Sequence, residues 1–237
     1  MKWIPDHSGR FPQRPFFDSE ELDYACEKII TSFLMESYGE VRYPISTNDL
    51  TILVEQHTSE LDLYADLANA GSDVEGVTDF LPGRKPSVRI SNALQAPYLE
   101  NRLRSTLTHE LGHVKFHEAL WPHQQMSLFE TDHQARSPHC KRETIISTKQ
   151  VDWLEWQAGY TSGALLMPIT PLIQIVRTLF EQTNTIGPLY ADSQLGQQLA
   201  QIVKNTFQVS SAAARVRLIQ LGHLSEQPSQ PQLLSNF

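Results

Sequence analysis

"RSTLTHELGHVKFH", residues 104–117, sets two histidines four apart with a glutamate directly after the first. Residues at i and i+4 project from one face of an α-helix, so His109 and His113 can offer imidazole nitrogens to a single ion. Glu110, about 100° further round the axis, stands off that pair but within reach of a water at the ion. The same letters also describe a solvated helix face with two incidental histidines. A catalytic zinc needs three protein ligands and an open position, so the rest of the chain decides between the two readings.

Several acids and imidazoles follow: His117, His123, Asp132, His133, His139, Glu143, Asp152 and Glu155. Glu155 is favoured by its neighbours. At i+3, i+4, i+7 and i+8 from it stand Ala158, Gly159, Ser162 and Gly163, a stripe of small residues that lets a second helix approach closely. Trp156, Tyr160, Ala164 and Met167 make a bulkier stripe suited to a core.

"HELGHVKFH", followed by "EWQAGYTSGALLMP" at 155–168, resembles the ImmA/IrrE-type metallopeptidases, with "RLRSTLT" and a strand pair leading into the first motif. The resemblance covers residues 46–170 and extends weakly to "FQVSSAAARVRLIQLG" at 207–222. It implies that His109, His113 and Glu155 are metal ligands and that Glu110 is the catalytic carboxylate. It further implies a protein substrate, a helix-turn-helix transcriptional repressor whose cleavage releases a stress or mobile-element programme. Gly159 and Thr161-Ser162 depart from the family's usual Asn and Phe-Ala, changes that touch packing and substrate access rather than the ligands.

The chemistry expected is metal-assisted peptide hydrolysis, with Zn2+ as the default ion for two histidines and a carboxylate, and Mn2+ also compatible. Tyr160 and the His-rich loop at 119–150 supply candidates for an oxyanion partner. A competing reading is a regulatory protein that keeps the metal fold but acts by binding protein or DNA. The carboxylate of Glu110 argues against it, since a purely structural metal site has no need of that group.

Composition narrows the class. The chain is 237 residues long, 40% hydrophobic and 19% charged, with a net charge of −8, so a non-specific polyanion binder is not expected. Cys26 and Cys140 are the only cysteines and show no CxxC spacing, which suits a reducing cytoplasm. No run approaches membrane-spanning length, and the first residues show no secretion-signal pattern. Nothing in the sequence sets an oligomeric state.

The periodicity predicts an α+β fold, in which a small twisted sheet packs on the HExxH helix and a Glu155-bearing helix. An N-terminal extension with a helix (1–45) precedes this metallopeptidase core (46–170). A C-terminal helical region (171–225) and a tail expected to be disordered (226–237) follow. Residues 1–17 read as an extended lead-in. Helices are predicted over 19–37, where Asp18 and Glu21 form a capping box, and over 47–56. Strands are predicted at 60–66, 75–80 and 87–91. The motif helix should run over 97–118 with Leu103, Leu107, Leu111 and Val114 facing the core, and further helices over 151–167, from 170, 193–206 and 210–221. Residues 119–150 read as an unusually long loop. In it, His133, His139 and Cys140 hint at a second metal site, and Cys140 at a redox-sensitive thiol. The strand "SVRIS" (87–91) is expected to form a sheet edge able to accept a substrate as an added strand. The last helix pair has a helix-turn-helix flavour, yet Lys204, Arg215 and Arg217 are too few cations for a DNA reader, so direct nucleic-acid binding is not expected.

Overall fold

Reciprocal caps set the first two helices. Asp18 accepts from the Glu21 backbone while Glu21 reaches back to Asp18, opening α1 (Ser19–Tyr38), which closes on Gly39 in the left-handed region at φ 73°. Ser46 and Asp49 do the same for α2 (Thr47–His57). The computed structural model describes residues 1–71, 73–80, 83–121, 139–141 and 152–227. They form two compact units, Met1–Pro168 and Ile169–Phe237.

In the first unit, the segment expected to be a plain lead-in is a hairpin, β1 (Lys2–Pro5) paired antiparallel with β2 (Gln13–Phe16). Its prolines hid it, but a two-stranded ribbon has edges on both sides, where a missing N–H breaks no ladder. The main sheet contains β3 (Glu60–Ala65), β4 (Val74–Asp79), β5 (Ser87–Ser91) and the short β6 (His139–Lys141), in the order β3-β5-β4-β6. β5 runs parallel to β3 and antiparallel to β4, and β6 runs antiparallel to β4. This overturns the expectation that 87–91 is an edge. Arg89 is matched with Asp62 on one side and Val77 on the other, so β5 has no free ladder to offer. Val88 and Ile90 do point inward, both fully buried.

Pro97 opens a 3-10 turn (Pro97–Leu99) rather than the motif helix, and α3 starts at Glu100 and ends at His117. Leu107, Leu111 and Val114 are buried as expected, whereas Leu103 is half-buried. α4 (Trp153–Leu166) starts from an Asp152 cap, with Asp152 accepting from the Leu154 N–H. It buries 11 of its 14 residues, because α3 and α1 both pack on it. α3 also packs against α2 and β4, which places the HELGH turn between the sheet and α4.

The second unit holds α5 (Ile169–Thr183), α6 (Gln194–Phe207) and α7 (Ser211–Gln220), with the parallel pair β7 (Leu189–Tyr190) and β8 (Leu224–Ser225). α5 buries Leu172, Val176 and Leu179, and α6 buries Leu199, Val203 and Phe207, both at helical spacing. The fold is α+β. Among the described residues no single helix is long and apolar enough to cross a membrane. The tail beyond residue 227 lies outside the described residues.

Candidate metal centre

On α3 the rings of His109 and His113 lie side by side, their Nε2 atoms 3.2 Å apart. Glu155, in the first turn of α4, faces both: Oε2 is 3.2 Å from His109 Nε2 and Oε1 is 3.4 Å from His113 Nε2. One ligand atom from each residue falls within 4.8 Å of the others, and all three residues are buried.

Small side chains on both helices allow this. A Cβ at Gly112 would lie 3.2 Å from the Ala158 Cα and 3.2 Å from the Thr161 Cβ, so the glycine inside the motif is a seat for α4. One turn earlier, the Thr108 and Ser162 hydroxyls are 2.8 Å apart, and Ser162 donates to the Ser105 carbonyl at 3.0 Å. Of the small stripe seen in the sequence, Ala158 and Ser162 are buried at the contact with α3, while Gly159 and Gly163 are half-buried. Gly112 was not foreseen, although a glycine in mid-helix carries a propensity cost that signals a packing role.

Glu110 turns toward the sheet. Its carboxylate accepts a hydrogen bond from the Thr78 hydroxyl of β4, and both residues are fully buried. Alternation along β4 puts Gly76 on the same face as Thr78. A Cβ at Gly76 would sit 2.4 Å from Glu110 Oε1, so the strand leaves a niche that the carboxylate fills. Neither residue was singled out from the sequence, where Gly76 could be a bulge or a turn and Thr78 an ordinary strand former.

Burial alone would push the Glu155 carboxyl up. The two imidazoles that face it, His113 and His109, outweigh it and hold the group well below the usual carboxylate range. An ionised carboxylate and two imidazole nitrogens converging on one point fit a divalent cation, which would act on Glu155 in the same sense. The His109, His113 and Glu155 group could hold a metal ion.

The other sequence candidates separate from this group. His117 is fully buried but faces away from the ligand atoms: its Nδ1 is 2.9 Å from His113 Nδ1 and its Nε2 is 3.0 Å from Gln157 Oε1. Burial, reinforced by nearby His113, pushes its pKa well below the ordinary histidine value. Asp152 caps α4 and pairs with Arg10 at 2.5 Å. The Tyr160 hydroxyl donates to Asp23 of α1 at 2.9 Å, a buried contact that commits it away from an oxyanion role. His123, Asp132, His133 and Glu143 lie outside the described residues, as do the side chains of His139 and Cys140, so the second-site and thiol readings fall there too. In the second unit Arg217 is fully buried and Arg215 pairs with Asp192, leaving still less cationic surface on the last two helices. The chain matches no protein-family model and no curated protein.

Proposed function

We propose that this protein is a metal-dependent endopeptidase of the ImmA/IrrE type. The observation that carries the reading is the joint placement of Glu110 with the His109, His113 and Glu155 group. The carboxylate lies next to the donor atoms in sequence, yet it is held by a strand and takes no part in the donor set. A structural metal site would not need it.

Zinc is the ion assigned, on the two-histidine, one-carboxylate set, and manganese fits the same donors. When bound, such an ion polarises the scissile carbonyl and acidifies a water. Glu110 accepts that water's proton during attack on the carbonyl carbon and passes it to the departing amide nitrogen, so that C–N cleavage releases an amine. Thr78 keeps the carboxylate oriented by donating to one of its oxygens. The substrate assigned is a helix-turn-helix repressor, on the family resemblance of the two motifs. A cytoplasmic setting is assigned on cysteine usage.

A Glu110→Gln trap tests this reading. The variant should bind one zinc per chain and capture a protein that the unaltered enzyme cleaves with metal but not with chelator. Turnover by the variant at the unaltered rate, or captured proteins that are never cut, would remove the peptidase assignment.

A further inference from the structure

Behind His113 runs a chain of hydrogen bonds whose directions are fixed by chemistry at its far end. Pro15, in β2, has no N–H, and its carbonyl can only accept. Gln157 Nε2 donates to that carbonyl at 3.2 Å, so the amide's oxygen points the other way, 3.0 Å from His117 Nε2. The reversed amide would set two oxygens against each other at Pro15. His117 therefore carries its proton on Nε2.

The His117 ring is fully buried between His113, Gln157 and the edge-on ring of Trp153, at 5.7 Å between centroids. In the neutral imidazole one nitrogen donates and the other accepts, so Nδ1 is the acceptor of the ring. That bare nitrogen lies 2.9 Å from His113 Nδ1, which must then be the donor. With its proton on Nδ1, His113 presents an unprotonated Nε2 toward Glu155 and His109. By contrast, His109 Nδ1 is buried with no hydrogen-bond partner among the described residues, so only one of the two histidines is set in this way.

We propose that the Pro15–Gln157–His117 chain fixes the tautomer of His113 as an Nε2 metal ligand, which makes the N-terminal hairpin a component of the metal centre. The proposal rests on reading the His109, His113 and Glu155 group as a metal site. His117 and Gln157 are positioning residues that act through His113. The hairpin is tied down independently: Phe11 meets Trp121 edge-on at 5.3 Å, Arg14 lies 5.0 Å over the Trp153 ring, and Arg10 pairs with Asp152. The Pro15 carbonyl is thus held at a fixed place beside the start of α4.

Two measurements on the full chain test it. Long-range 1H–15N correlation spectra of the metal-free protein should show His113 protonated on Nδ1 and His117 on Nε2. Competition against a chelator of known affinity gives Co2+ binding. Gln157→Leu, which removes the acceptor for His117, should weaken Co2+ by about 10- to 100-fold. Gln157→Glu in its neutral form can accept from His117 and donate to Pro15, so it should stay within a few-fold of the unaltered chain. A side chain that merely packed would not separate Leu from Glu in Co2+ affinity. A proton on His113 Nε2, or equal Co2+ affinity in Gln157→Leu and the unaltered protein, would overturn the proposal. Should Gln157→Leu fail to fold, the tautomers of the unaltered chain decide alone. If those tautomers are as stated but the unaltered chain takes up no Co2+, the metal reading itself falls and the role given to the relay falls with it.

Discussion

At position 76 the absence of a side chain is what admits the Glu110 carboxylate. With a Cβ placed 2.4 Å from Oε1 and 2.9 Å from Cδ, either β4 must withdraw or Glu110 must rotate. A displacement of about 1 Å in a group that handles the proton can cost on the order of 10²-fold in rate. Gly76→Ala should therefore lose peptidase turnover by about that factor while still binding one zinc, because it touches no ligand. Zinc stoichiometry by atomic emission, set beside turnover of the trapped substrate, checks this; full turnover in the variant would show that the niche does not matter. That His109, His113 and Glu155 come together was readable from residue types, since i,i+4 histidines and a glutamate above small residues are local patterns. Gly76, Thr78, Gln157 and Pro15 were not, because each acquires its role from a partner distant in sequence.

Between elements, the decisive contact is α3 on α4. Gly112 forgoes helix propensity, up to about 1 kcal/mol relative to alanine, in return for backbone proximity to Ala158. Valine there would drive two further methyl groups against Ala158 and Thr161, an overpacking cost of about 1–3 kcal/mol. Gly112→Val should lower the urea midpoint accordingly and also weaken zinc, since Glu155 rides on the helix that is pushed away. An unchanged zinc affinity in a destabilised protein would separate the two effects and refute the link. Helix positions were largely legible, because the Asp18/Glu21 box, Ser193 and Ser210 are local stop and start signals. Strand order was not. β3 and β5 pair across the intervening β4 sequence, and "SVRIS" alternates identically whether it lies at an edge or inside the sheet.

For the molecule as a whole, every proposed ligand and positioning residue falls within Met1–Pro168. Metal binding at 100 times Kd adds about 2.7 kcal/mol to the state that binds it. Amide exchange should slow on zinc addition not only in α3 and α4 but also in the hairpin β1–β2, and chelator should reverse both. Slowing confined to α3 and α4 would detach the hairpin from the centre. The break between α4 and α5 was legible from Met-Pro, which halts one helix before another begins. The hairpin's part in the site was not, for nothing in "QRPFF" names its partner. The bond from Gln157 to Pro15 and the pair from Arg10 to Asp152 each span 142 residues. Contacts that far apart close late, after the intervening chain has been made and its loop entropy met. During synthesis the hairpin emerges before α4 and finds its seat only after α4 has left the ribosome. A chain cut short before Trp153 carries the whole HELGH helix yet lacks Glu155, Gln157 and the Trp153 platform, so the candidate metal centre stays incomplete until the segment that carries them exists.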